Sequence, residues 1–109
     1  MISNLQKDKS INVVIAKLFD HFGENNFHLT DHWDADLCAI GIKNSKDGEF
    51  QIYISTYQLQ KNHYFVEVED SNKEVVLNSY KNGELIATNF DELSELVTNY
   101  FYLQPDYEQ

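Results

Sequence analysis

The 109-residue sequence contains no arginine, one cysteine, one proline, one methionine, one tryptophan and four glycines. Each scarcity excludes something. Without arginine there is no bidentate clamp for a phosphate or carboxylate substrate. A single Cys38 cannot form an internal disulfide, which excludes a disulfide scaffold and fits a reducing cytoplasm. Scattered glycines exclude a glycine-rich phosphate loop. No apolar run approaches the eighteen or so residues of a membrane-spanning helix. Met1-Ile2-Ser3-Asn4-Leu5-Gln6-Lys7 carries no basic segment leading into an apolar one, so no signal peptide is expected.

Acid is abundant. Eighteen Asp and Glu face eight Lys, for a formal charge of −10. A field of that sign repels nucleic acid and anionic membranes and attracts a cationic partner. The imbalance is also local. Asp20, Glu24, Asp31, Asp34 and Asp36 fall between Leu18 and Ile42, where there is no lysine. Glu67 and Glu69 alternate in a second stretch, and Asp91, Glu92 and Glu95 form a third. Hydrophobic residues at 42% and charged residues at 24% are the composition of a folded domain. The length is that of a single domain, residues 1–109, with one core.

Periodicity supplies the architecture. Residues 3–22 read as a helix, with Ile11, Val14, Ile15, Leu18, Phe19 and Phe22 at helical spacing. Ser3 or Ser10 is a candidate cap, Gly23 a natural stop, and the polar Asp8-Lys9-Ser10 a place where the ordered helix begins or breaks. Phe27 and Leu29 alternate as in a short edge strand. Leu37 to Ile42 is an apolar strand, with Gly41 marking a bulge or a close neighbour. After the turn at 44–48, Phe50 to Thr56 alternates and completes a hairpin. Tyr64 to Glu69 puts Tyr64, Val66 and Val68 on one face and Phe65, Glu67 and Glu69 on the other. Val75 to Tyr80 is its partner strand. Asn82-Gly83 is a strong hairpin turn, and Leu85-Ile86-Ala87 a brief last strand. Residues 90–102 form the second helix, with Asn89 and Glu92 spaced as a capping box. The fold class expected is α+β: an antiparallel meander of four to five strands flanked by an N-terminal and a C-terminal helix.

Each chemistry-bearing cluster has a plainer role beside its functional one. His28, Asp31, His32, Asp34 and Asp36 offer metal-ligating atoms, but the run lacks the Glu of a His-Glu-x-x-His site and the Gly and final Glu of a calcium loop. Glu67 and Glu69 lie about 7 Å apart by strand rise, suiting an inverting glycosidase pair. A fold this small offers little cleft for a sugar. Cys38 with His32 or His63 imitates a thiol and its base, yet its apolar flanks suit a buried structural thiol. No catalytic residue, metal or cofactor is assigned, and the chain is expected not to be an enzyme. Aromatic anchors ringed by carboxylates fit a binding surface for a basic protein. The candidate contact set is Trp33, Asp34, Asp36, Tyr53, Phe65, Glu67 and Glu69.

The pattern Trp33-x-x-Asp36-Leu37-x-Ala39-Ile40-Gly41-Ile42, then Phe50-x-Ile52-Tyr53-Ile54-Ser55-Thr56, Tyr64-Phe65-Val66-Glu67-Val68-Glu69 and Phe90-Asp91-Glu92-Leu93 resembles small bacterial immunity proteins. The resemblance spans about residues 30–101. The nearest kind is the immunity partner of contact-dependent growth inhibition or a related polymorphic toxin system. It implies a non-enzymatic cytoplasmic inhibitor of a toxin C-terminal domain, often a basic nuclease. Two other readings stand beside it. One is an acidic or nucleic-acid-mimicking module that binds a resident basic protein. The other is a small metal-dependent hydrolase using His28, His32, Asp34 and Asp36.

Overall fold

The computed structural model describes residues 7–30, 36–45, 49–81 and 83–101. Helix α1 spans Lys9–Phe22. Strands β1 (Phe27–Thr30), β2 (Ala39–Asn44), β3 (Gln51–Ser55), β4 (His63–Glu69) and β5 (Val75–Asn78) follow. Then come β6 (Tyr80–Lys81), β7 (Glu84–Leu85), β8 (Thr88–Asn89) and helix α2 (Phe90–Phe101). The first five strands pair antiparallel in sequence order, β8 adds to β4, and β6 and β7 form a separate hairpin. The architecture is thus the α+β meander with a helix at each end that the periodicity predicts.

One core joins all the layers. Ile11, Val14, Ile15, Leu18 and Phe22 of α1 and Leu93, Val97 and Phe101 of α2 are buried in one cluster with the inward residues of the sheet. Those are Ile40 and Ile42, Ile52 and Ile54, and Tyr64, Val66 and Val68. In register, Ile42 faces Ile52 and Ile52 faces Val68; Ile40 faces Ile54 and Ile54 faces Val66. Each fully buried side chain of this size contributes about 1.5–3 kcal/mol, so a one-residue slip in any strand would expose several at once. Phe19 stacks on Phe27 at 4.8 Å, fixing α1 over the first strand. Phe50 meets Tyr100 at 5.1 Å, holding α2 to the start of β3.

Helix ends follow local chemistry. Asp8, rather than Ser3 or Ser10, caps α1: its carboxylate accepts from Ser10 N at 3.0 Å and from Ser10 Oγ at 2.6 Å. Those bonds hold the Asp8 carboxyl below its ordinary value. Ser3 lies outside the described residues. Gly23, at φ 90°, donates its N–H to Phe19 O at 2.8 Å and ends the helix. At α2 the capping box forms as spaced: Asn89 Oδ1 accepts from Glu92 N at 2.9 Å, and Glu92 Oε1 accepts from Asn89 N at 3.0 Å.

Four expectations change. The second strand starts at Ala39, and Leu37, read as part of that strand, is 54% exposed. Asp36 explains the late start: its carboxylate accepts from Cys38 N at 3.0 Å, closing a turn before the ladder begins. Tyr80 does not continue β5. The buried Ser79 ends the pairing; its hydroxyl accepts from Val66 N at 2.9 Å and lies 3.4 Å from Thr88 Oγ1. It thereby bridges β5 and β8 along the same edge of β4, and Tyr80 turns away into the β6–β7 hairpin. The last strand is correspondingly split into β7 and β8, with Ile86 and Ala87 between them. Finally, Cys38 is not a core thiol but half-buried.

Candidate protein-binding face

The two helices cover one face of the sheet, and strand alternation turns Tyr53, Phe65, Glu67 and Glu69 to the other. The β3–β4 register sets Tyr53 opposite Glu67, Ser55 opposite Phe65, and Gln51 opposite Glu69. Four of the seven candidate contact residues therefore form one patch across two neighbouring strands. Gly41 lies opposite Tyr53 on the β2 side.

The aromatic part is continuous. Phe65 meets Tyr53 edge-to-face at 5.8 Å and Tyr80 at 5.6 Å. Tyr80 is 54% exposed and Tyr57 is 63% exposed. With Phe65, Ser55, Gln58 and Leu59 they line an open concavity of about 350 Å³. Sequence reading missed Tyr57 and Tyr80. Tyr57 stands in a polar loop, and the sequence pattern puts Tyr80 at the end of β5 whereas it opens β6. A large exposed aromatic beside a hairpin signal was the available cue.

Carboxylates surround these rings. Burial raises the Tyr53 phenol, partly offset by a hydrogen bond with Ser55, and the charges of Asp36 and Glu67 push it up further. Asp36, exposed just before β2, is thus electrostatically joined to the patch from a distant part of the sequence. Partial burial raises the Glu67 carboxyl, and the neighbouring Glu69 charge adds to the shift. The arrangement is a desolvated ring surface crossed by negative charge, which a cationic side chain would neutralise.

Trp33 and Asp34 lie outside the described residues, as do Asp31 and His32 of the proposed metal run. Among the described residues, no group of three or more His, Cys, Asp or Glu is placed to hold a metal ion. No described helix is long and apolar enough to cross a membrane. Comparison with protein-family models, with curated proteins and with solved structures gives no match for this chain.

Proposed function

We propose that this protein is a stoichiometric inhibitor that holds a cationic protein domain against the open face of its sheet, in the manner of the immunity proteins its sequence resembles. The observation that carries the reading is the joining of Tyr53, Phe65 and Tyr80 to Glu67, Glu69 and Asp36 on one face. The rings supply area that a partner covers, and the carboxylates steer and pair. The concavity between Tyr57, Phe65 and Tyr80 accepts one lysine or arginine side chain, where ring faces and desolvation reinforce each other.

A nuclease toxin fits this partner chemistry, because a surface built to hold a phosphate backbone is basic. The acidic face of a chain whose formal charge is −10 competes for that surface without turnover. The inhibitor acts in the cytoplasm of the cell it protects, by steric and electrostatic occlusion of the toxin domain.

The test is co-purification of the tagged protein with the product of the immediately adjacent upstream gene, followed by titration calorimetry. A 1:1 complex of nanomolar or tighter affinity, abolished by charge reversal at Glu67 and Glu69, is the expected result. Absence of binding to a folded upstream product, with capture of a resident nucleic-acid-binding protein instead, would overturn the immunity reading in favour of a mimic.

A further inference from the structure

β5 ends the sheet: it pairs with β4 on one side and, among the described residues, with no strand on the other. A free strand edge is a template for an extended segment, and natural edges are commonly guarded by lysine or proline. Val75-Val76-Leu77-Asn78 carries neither, and Val75 and Val76 are 49% and 45% exposed. The turn before them is tied in place. Asp70 Oδ1 accepts from Asn72 N at 2.9 Å and from Glu74 N at 3.0 Å, and Asp70 N donates to Glu74 O at 2.9 Å. An edge ordered in advance lowers the cost of binding. It is also short. The register with β4 shifts at Val76, and past Asn78 the Ser79 carbonyl already accepts from Ile86 N at 2.7 Å. Only a few residues of an incoming chain find backbone partners here.

Beside that edge lies a groove of about 410 Å³, between the end of β5, the chain around Ile86 and helix α2. Leu77, Ile86, Ala87 and Leu96 supply its apolar surface, and Ile86 is 54% exposed. Glu92 and Glu95 line it from α2, where a spacing of three and four residues puts them on one stripe with Leu96. Glu92 gives Oε1 to Asn89 N in the helix cap, and Glu95 is exposed. No lysine lines the groove among the described residues. The groove is thus apolar in the middle and negative along one wall. Tyr80 lines both this groove and the concavity of the open face, so the two are continuous.

Charge selects the occupant. A second copy would bring Glu74, Glu92 and Glu95 against their own equivalents on a chain of formal charge −10, and juxtaposed like charges oppose association. A cationic segment reverses the sign. Resting on the proposed function for the partner's identity, we infer that the β5 edge and this groove bind a short extended segment of the cationic partner. An aliphatic side chain of that segment sits between Leu77, Ile86 and Leu96. A lysine or arginine two residues away, on the same face of the extended segment, pairs with Glu92 and Glu95.

The test uses the full chain labelled with nitrogen-15 and a pentapeptide blocked at both ends, with leucine second and lysine fourth among threonines. That spacing puts the two side chains on one face of an extended backbone, about 7 Å apart. Saturable amide shifts at Leu77, Asn78, Ala87 and Leu96 are expected at millimolar peptide, and exchange of amides within β5 should slow at saturation. Glutamate in place of the lysine should weaken binding about tenfold or more, as should Glu95→Lys in the protein at its exposed position. Four results would each overturn the inference: no saturable shift, equal affinity for the glutamate peptide, shifts centred on Tyr53 and Phe65, or unchanged exchange in β5. A chain that sediments as a dimer and becomes a monomer on Val76→Lys would assign the edge to a second copy and overturn it too. The peptide is read on the free chain, so the two proposals fail separately. A complex with the upstream product beside a peptide that does not bind overturns this contact alone. A peptide that binds where the upstream product does not leaves the contact standing and counts against the immunity reading.

Discussion

Tyr53 on β3 and Glu67 on β4 are direct cross-strand partners on the face of the sheet that the helices leave open. The pairing sets a carboxylate beside a phenol, and the Glu67 charge makes ionisation of Tyr53 harder. Phe65, two residues before Glu67 on the same face, packs edge-to-face against Tyr53. A surface made this way holds unneutralised charge next to apolar rings. It is less stable alone than under a cationic partner.

Glu67 carries a pH signature. Its folded-state pKa is raised above the ordinary 4.5, first by burial and then by Glu69. A raised carboxyl binds its proton more tightly in the folded state than in the unfolded one. Its contribution to stability is therefore full below 4.5 and lost as pH rises through the folded value. Glu67→Gln should have a higher urea midpoint than the parent at neutral pH and the same midpoint well below 4.5. A midpoint difference independent of pH would contradict the assignment.

Removal of the ring at the centre should separate binding from folding. Phe65→Ala should weaken partner binding by about 30-fold or more, the loss typical of a central aromatic anchor. Tyr80→Ala, on an exposed ring, should change stability by no more than about 0.5 kcal/mol while still weakening the complex. Calorimetry and thermal melting on the same preparations check both.

Charge should act on the rate of encounter. Asp36→Asn combined with Glu69→Gln should slow association at low salt and flatten its dependence on ionic strength, leaving dissociation less affected. Stopped-flow kinetics across a salt series measures this, and an unchanged low-salt association rate would refute electrostatic steering by these carboxylates.

The capping box of α2 should have a measurable share in stability. Asn89→Ala removes the acceptor for Glu92 N and should cost about 1 kcal/mol. For a domain near 100 residues that corresponds to a Tm lower by roughly 4–8 °C. Calorimetric melting is the direct check.

Ser79→Ala should cost more than its size suggests. The hydroxyl is the acceptor for Val66 N at the gap between β5 and β8. Its loss leaves a buried N–H without a partner, a penalty of about 1–3 kcal/mol. Hydrogen exchange at Val66 should accelerate in the variant, while Val68, still paired with Leu77, keeps the protection of the intact ladder.

The strand faces were legible because the side-chain period of two is strict: Tyr64, Val66 and Val68 could only go inward together. The α2 cap was legible for a similar reason, since Asn89 and Glu92 satisfy each other within one turn. The start of β2 and the end of β5 were not. Leu37 carries the right hydrophobicity, but the Asp36 carboxylate bends the backbone before it reaches the sheet. Tyr80 carries the right β-propensity, but Ser79 takes the place of the backbone ladder. In both cases one polar side chain competes for a backbone N–H, and composition does not reveal that competition. Of the candidate contact set, Tyr53, Phe65, Glu67 and Glu69 share one face, which alternation and register explain. Tyr57 and Tyr80 required the path of the loops.

Local pattern alone determined the two helices, the antiparallel character of the sheet, the buried face of the surest strands and the acidity of the whole, because each depends on neighbours a few residues apart. Tertiary structure decided which acidic and aromatic residues meet. Asp36 reaches Tyr53, and Phe65 meets Tyr80, only through strand register and the turn at Ser79. The groove beside β5 likewise exists only where α2 and the chain around Ile86 close on the end of the sheet. Such contacts join residues tens of positions apart, and their energy depends on a three-dimensional distance that the order of residues does not encode directly.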